Sequence, residues 1–223
     1  VLPVSAAAQT PETQKPDSPK VDSAAQSDSE MNTDTQLSSE EQAILDRALS
    51  YLRTLDSLKS RFVQTTHSGY QLSGTFYLDR PGHLRFDYDP PMEDFIVADG
   101  TFIYYYDAEL GQQSNAPIGQ TLADYILRAD LTLDDGLGIS DIRRSDNKTH
   151  ITLHEKDNPA GGQIMLTFRR EPYRLKRWRV RDAQGTITNV ELFRVEENIP
   201  LSDDLFIYRD PKKDNDRPVR YNE

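Results

Sequence analysis

The sequence predicts a mainly β protein with a few helices. Its expected architecture is an incomplete, unclosed antiparallel β-barrel of about eleven strands, with an N-terminal helix and short helices over the concave face. Three observations carry that reading. From Leu58 onward the apolar period changes to two, with β-branched and aromatic residues dominating. The apolar runs are short and follow one another quickly, broken by Arg80-Pro81-Gly82, Pro90-Pro91 and Asp99-Gly100. Only two segments show a helical period.

The elements follow in order. Val1 to Ala8 is a short, largely apolar run ending Ala6-Ala7-Ala8, which reads as the small-residue end of an export signal. No cysteine follows it, so an N-terminal lipid anchor is not expected. Residues 9–37 contain six acids, two lysines and no aromatic ring. Such a segment cannot bury enough apolar area to offset its ordering entropy, so it is expected to be disordered. The organisation expected is a signal remnant and polar extension over 1–38, one domain over 39–211, and a polar tail over 212–223.

Ser39-Glu40-Glu41-Gln42 fits a capping box in which Ser39 and Gln42 satisfy each other's backbone donors. Ile44, Leu45, Ala48, Tyr51, Leu52 and Leu55 then recur at helical spacing. Strands are expected at Leu58–His67, Gln71–Leu78, His83–Tyr88, Phe95–Ala98, Thr101–Tyr106, Ile139–Arg144, Thr149–Glu155, Gln163–Arg169, Leu175–Arg181, Thr186–Val195 and Leu205–Tyr208. Asp99-Gly100 predicts a type I′ hairpin turn, with positive φ at both positions. Between the strands, Leu122, Tyr125, Ile126 and Ala129 form a helical stripe with Thr121 as its N-cap.

The faces of the strands are uneven. His83–Tyr88 alternates cleanly, with Leu84, Phe86 and Tyr88 on one side. Thr101–Tyr106 is apolar on both sides: Ile103 and Tyr105 against Phe102, Tyr104 and Tyr106. Thr186–Val195 sets Ile187, Phe193 and Val195 against Val190 and Leu192. Strands of this kind need cover on both faces.

Composition excludes several functions. A net charge of −11 argues against non-specific nucleic-acid binding, which needs a basic field. Without cysteine there is no disulfide, thiolate metal site or cysteine nucleophile. No run approaches 18 apolar residues. His150 and His154 lie four apart on one strand, with Thr152 on a solvent-side face, and no carboxylate joins them at metal-ligand spacing. No nucleophile elbow, phosphate loop or dinucleotide fingerprint occurs, and no cofactor is implied. Against the acidic background, seven basic residues and one acid lie between Arg169 and Arg181. Arg177, Arg179 and Arg181 share one face of their strand, which suits lipid headgroups, an acidic partner, or plain solvent with Glu191 nearby.

From about Leu45 to Pro211 the chain resembles the LolA family of periplasmic lipoprotein carriers. Arg61-Phe62-Val63-Gln64 is similar to the family's Phe-x-Gln. Gly74-Thr75-Phe76-Tyr77-Leu78, Arg80-Pro81 and Leu84-Arg85-Phe86-Asp87-Tyr88 follow in the family's order. Pro91, Ile96-Val97-Ala98-Asp99-Gly100, Tyr105-Tyr106-Asp107 and Gln112-Gln113 continue it. Asp182 to Thr188, Asn198 to Leu201 and Phe206 to Pro211 close it. The chain departs from the family at Leu122, where proline often follows threonine, and at Asp124 and Tyr125, which make the lid helix less apolar.

The resemblance implies a binding protein rather than an enzyme, expected to be a monomer in the periplasm. Its implied partners are acylated lipoproteins, an inner-membrane lipoprotein-releasing ABC transporter, and an outer-membrane acceptor protein or the membrane itself. It implies that Arg80 latches a lid and that Leu84 and Phe86 meet acyl chains. Phe76, Tyr88, Ile96, Leu122 and Ile126 complete the expected lipid-binding set. An apolar cavity is expected beneath the Leu122–Ala129 helix. Two other readings stay open: an envelope lipid-binding or sensor module of the same fold, and a hydrolase with a dispersed site.

Overall fold

The computed structural model describes residues 37–128 and 136–212. Expectations on residues 1–36, on Ala129 and on residues 213–223 lie outside the described residues. Helix α1 (Ser39–Thr54) opens the domain. Its capping box uses Ser38 and Glu41, one residue earlier than Ser39 and Gln42. The Glu41 carboxylate accepts the Ser38 backbone N–H at 2.8 Å, and the Ser38 hydroxyl accepts the Glu41 N–H at 3.3 Å. A carboxylate is the stronger acceptor, which favours this register over one ending in the Gln42 amide. Ile44, Leu45, Ala48 and Leu52 form the buried stripe of α1.

Eleven strands follow. They are β1 (Ser57–Thr65), β2 (Gln71–Asp79), β3 (His83–Tyr88), β4 (Phe95–Asp99), β5 (Phe102–Asp107) and β6 (Gln112–Pro117), then β7 (Leu137–Ser145), β8 (Lys148–Glu155), β9 (Gly162–Arg170), β10 (Tyr173–Asp182) and β11 (Ile187–Glu197). They make one antiparallel sheet in the order β6-β5-β4-β3-β2-β1-β11-β10-β9-β8-β7, so the sheet is unclosed, with edges at β6 and β7. The number matches the expectation, but two assignments differ. Gln112–Pro117 is a strand made of polar residues, pairing Asp107 with Gln112 and Phe102 with Pro117. Its backbone ladder holds it without an apolar period. Conversely, Leu205–Tyr208 is no strand: a 3-10 turn covers Asp203–Phe206.

Ring contacts show how strongly the sheet curves. Three strand spacings separate β2 from β10, about 14 Å on a flat sheet. The Phe76 and Trp178 rings nevertheless meet at 5.3 Å, and Phe86 of β3 reaches Trp178 at 6.1 Å. The two wings of the sheet fold toward each other over a shared apolar interior. Gly74 assists: a Cβ there would lie 2.6 Å from the Phe62 ring and 2.1 Å from the Asp87 carbonyl oxygen. Its bare Cα lets Phe62 of β1 pass over β2 to touch Phe86 and Tyr88 of β3, at 5.1 and 5.3 Å.

The two-faced strands are covered in part, with Phe102 and Phe193 left exposed. Ile103 of β5 packs into the interior, with Tyr105 against it. On the outer face Tyr208 stacks on Tyr104 at 4.7 Å and tilts against Phe95 at 5.9 Å, while Phe206 meets His83 at 5.4 Å. The C-terminal segment therefore roofs the outside of β3–β5, and the Arg85 guanidinium donates to the Leu205 carbonyl at 3.2 Å. In β11, Phe193 and Val195 do not share a face. Arg194 has φ +51°, and the pairing with β1 slips between Lys59 and Arg61. This bulge turns Val195 against the core, while Phe193 stays on the outside beneath the Lys176 ammonium at 4.1 Å.

The Asp99-Gly100 hairpin is not type I′. Gly100 alone takes positive φ, at +96°, while the Asp99 carboxylate accepts the N–H groups of Thr101 and Phe102, each at 2.9 Å. The aspartate's own side chain makes the turn.

Candidate functional site

The site is the concave interior between the two wings. Strand alternation aims Phe62, Phe76, Phe86, Tyr88 and Trp178 into it, and curvature gathers them from β1, β2, β3 and β10. Phe76 and Phe86 lie 4.7 Å apart. Two segments cover this interior: α1, and the described part of the connection between β6 and β7. That part holds a 3-10 turn (Ile118–Gln120) followed by helix α2 (Asp124–Leu127). Helix α2 is shorter than the Leu122–Ala129 stripe, and Thr121 is not its N-cap. The Thr121 hydroxyl donates instead to the Ile118 carbonyl at 2.8 Å, closing the preceding turn, and the cap position falls to Ala123.

Every residue expected to meet lipid belongs to this interior. Phe76, Leu84, Phe86, Ile96 and Ile126 are buried in the single core cluster, and Tyr88 and Leu122 pack against it. Sequence reasoning passed over Phe62, Trp178, Tyr125 and Leu127, which are equally enclosed. Trp178 alternates with Arg177 and Arg179, a signal that places it inward but not opposite Phe76.

The expected cavity beneath α2 is not found: side chains fill that space. Leu84 and Phe86 are 4% and 3% exposed and packed among rings. An apolar void of about 10 Å³ lies elsewhere, between α1 and β7–β9, lined by Leu45, Ala48, Leu52, Leu137, Leu153 and Phe168 among others. That is about the room one water needs. The interior is filled by its own side chains, because an empty apolar cavity forfeits contacts on every wall.

Arg80 hydrogen-bonds to both covering segments. It lies in the β2–β3 turn, and its guanidinium donates to the carbonyls of Leu52 and Leu55 at the end of α1, the latter at 3.2 Å. Its other terminal nitrogen donates to the Arg128 carbonyl just past α2. One planar fork thus ties both covering segments to one turn. The Gly82 N–H adds a bond to the Leu127 carbonyl at 2.9 Å, and the Arg128 side chain pairs with Asp124.

Polar groups inside the site are few. Gln64 is buried, and its carbonyl oxygen accepts the Tyr88 hydroxyl at 2.9 Å. Burial pushes the Tyr88 phenol above the ordinary tyrosine range, with the nearby Asp94 charge adding to it. Tyr51 of α1 donates to Glu197 at 2.6 Å, and burial followed by that bond raises its pKa as well. Among the described residues no group of three or more His, Asp or Glu side chains could hold a metal ion. A second hollow of about 570 Å³ lies outside the sheet, lined by Asp79, His83, Asp99, Tyr104, Asp203, Phe206, Ile207 and Tyr208, and does not connect to these rings.

His150 and Thr152 do not face solvent. Both are buried on the outer face of β8. Arg143 of β7 reaches over β8 to the Met165 sulfur of β9, 3.8 Å away, and His150 bonds to the Ser145 and Thr167 hydroxyls at 2.9 and 3.0 Å. Arg177, Arg179 and Arg181 stand on that same outer face, away from the interior.

An antiparallel sheet left open at two edges, with an apolar concave face covered by helices, defines the class: an unclosed β-barrel with a covered interior. The chain belongs to the family of the outer membrane lipoprotein carrier protein LolA, whose family model matches residues 53–209. It is 28% identical over 173 residues to an outer-membrane lipoprotein carrier protein of Methylococcus capsulatus, covering 74% of this chain and 83% of that one. It is 29% identical over 175 residues to the protein so named in Legionella pneumophila strain Paris, covering 76% and 85%. Among solved structures, the LolA superfamily protein NE2245 from Nitrosomonas europaea aligns with a TM-score of 0.44 at 13% identity, over 75% of this chain and 97% of that one.

Proposed function

We propose that this chain is a periplasmic carrier that shields the acyl chains of lipoproteins. In this reading it takes them from an inner-membrane ABC transporter and passes them to an outer-membrane acceptor protein, or to the membrane itself. The observation that supports it best is the Arg80 fork, which fastens two helical covers over an interior lined with rings.

The energetics fit such a cycle. Each acyl methylene left in water costs about 0.8 kcal/mol, so a bare chain would insert or aggregate at once. A permanently open pocket would hold its cargo too tightly to release it. Here the empty interior is filled by its own side chains, so uptake must lift α1 or α2 and part the rings. Charge-assisted hydrogen bonds contribute about 1.5–3 kcal/mol each, so breaking the Arg80 fork offsets part of the gain from cargo binding. On release, re-forming the fork and the ring contacts recovers that energy and expels the chains. The steps are binding and release, with no covalent chemistry.

The experiment is extraction of lipoproteins from inner-membrane vesicles bearing the transporter, with purified protein in the supernatant. A soluble lipoprotein complex is expected; its absence in repeated trials overturns the reading. Trp178 is the sole tryptophan and faces Phe76, so its emission should change when cargo enters. For Arg80→Leu the covers should relax, and bound lipoprotein should be released more slowly to acceptor membranes. Transfer at the parent rate would remove Arg80 from the latch role.

A further inference from the structure

The outer face of β7–β10 carries a concentration of positive charge that the carrier cycle does not use. Residues 137–182 contain eleven Lys or Arg and six Asp or Glu, net +5, in a chain whose total is −11. The strand registers place seven of these eleven cations, Arg143, Lys148, Arg169, Arg174, Arg177, Arg179 and Arg181, on one face. Lys148 stands directly opposite Arg169, and Arg169 opposite Arg174. The next row runs Arg143, His150, Thr167, Arg177. Arg179 and Arg181 continue the column along β10.

Two features separate this from an ordinary solvated face. First, like charges directly opposite on neighbouring strands repel, with Cβ atoms about 5 Å apart, so the Lys148–Arg169–Arg174 row works against stability. Second, the nearby acids of the sheet pair with only Arg143 and Lys176. Glu191 pairs with Lys176 at 3.2 Å, and Asp141 with Arg143 at 3.2 Å. Among the described residues no carboxylate lies within ion-pair distance of Lys148, Arg169, Arg174, Arg177, Arg179 or Arg181. The field is strong enough to act on His150, whose imidazole is held neutral by burial first and then by Arg143, Arg177 and Lys148.

We propose that this cationic face docks the protein on anionic phospholipid headgroups, placing the carrier against a membrane surface. Charge complementarity selects the occupant. A folded acidic partner would need an apolar or aromatic anchor at the centre of its footprint. The uncharged residues between the cations are Thr152, Gln163, Met165, Thr167 and Asn189, and the exposed Phe193 ring stands at the β11 margin of this face under Lys176, not at its centre. Headgroups ask only for charge, at about 1 kcal/mol per cation close to the surface. The acidic remainder of the chain is repelled by the same surface, which orients the molecule with this face down.

The test is flotation of the full chain with vesicles of phosphatidylcholine alone and of phosphatidylcholine mixed with phosphatidylglycerol. Binding is expected only to the mixed vesicles, and it should fall as salt is raised. Replacing Arg177, Arg179 and Arg181 together by Gln should lower the partition coefficient by roughly a hundredfold, at about 1 kcal/mol per cation. The triple Arg→Lys variant should retain binding, which separates charge from folding. Equal binding to both vesicle types, unchanged binding of the Gln variant, or capture of poly-glutamate without capture of the mixed vesicles would each overturn the proposal. These vesicles carry neither lipoprotein nor transporter, so the result is independent of the carrier assay.

Discussion

The two wings of the sheet solve the same burial problem differently. On the inner face, β2 and β3 present rings: Phe76, Phe86 and Tyr88, with Phe62 crossing from β1 through the gap at Gly74. The inner face of β8 and β9 is mostly aliphatic, with Ile151, Leu153, Ile164 and Leu166 below α1. Outside, β3–β5 are roofed by Asp203–Tyr208, whereas β7–β10 stay bare and cationic. Flat rings can slide and part while keeping contact, whereas branched aliphatic chains interlock. In the proposed carrier cycle the ring-lined wing would be the one to part and the aliphatic wing the one to hold.

That contrast can be broken at the joint between the wings, where the largest effect is expected. Trp178 belongs to the second wing but packs on Phe76 and Phe86 of the first. Trp178→Ala should cost about 3–5 kcal/mol, read from urea denaturation followed by far-UV circular dichroism. A loss below about 1 kcal/mol would mean that the wings do not depend on this contact. A smaller effect is expected within the first wing. Gly74→Ala puts a methyl against Phe62 and the Asp87 carbonyl and should cost about 1–3 kcal/mol, because backbone must shift to admit it. A neutral Gly74→Ala would show that the ring layer has slack even when closed.

The smallest effect belongs to the second wing and depends on pH. Burial and the surrounding cations depress the His150 pKa below its ordinary 6.5. The unfolded chain then binds a proton that the folded chain refuses. His150 therefore contributes its full stability above pH 6.5, and that contribution declines as pH falls through the depressed folded value. His150→Gln keeps a neutral hydrogen-bonding group and should flatten this part of the stability profile. An unchanged slope between the two proteins would contradict the burial argument.

Much of this was legible in the residues. Ile44, Leu45, Ala48 and Leu52 announced α1, and Leu84, Phe86 and Tyr88 announced the inward face of β3. Arg80 was legible only through the family resemblance, since an arginine before Pro-Gly reads alone as an exposed turn charge. β6 was missed because Gln112–Pro117 has no apolar alternation and is held by the ladder to β5. The face of Val195 was missed because one bulge at Arg194 reverses everything after it. The burial of His150 is not legible from its strand, because alternation tells inside from outside but not whether a long neighbour lies across the outside.

The sequence by itself determined the local alternations, and with them which side chains could share a face. It also determined the charge asymmetry, which needs only counting. Tertiary structure decided what meets across distance. The carbonyls held by Arg80 lie 28, 25 and 48 residues away along the chain, and Phe76 meets Trp178 only because twist and bulges accumulate into curvature. Whether the interior is hollow or filled was decided there too. Alternation specifies that apolar groups point inward, while the volume left between them depends on how far two wings close.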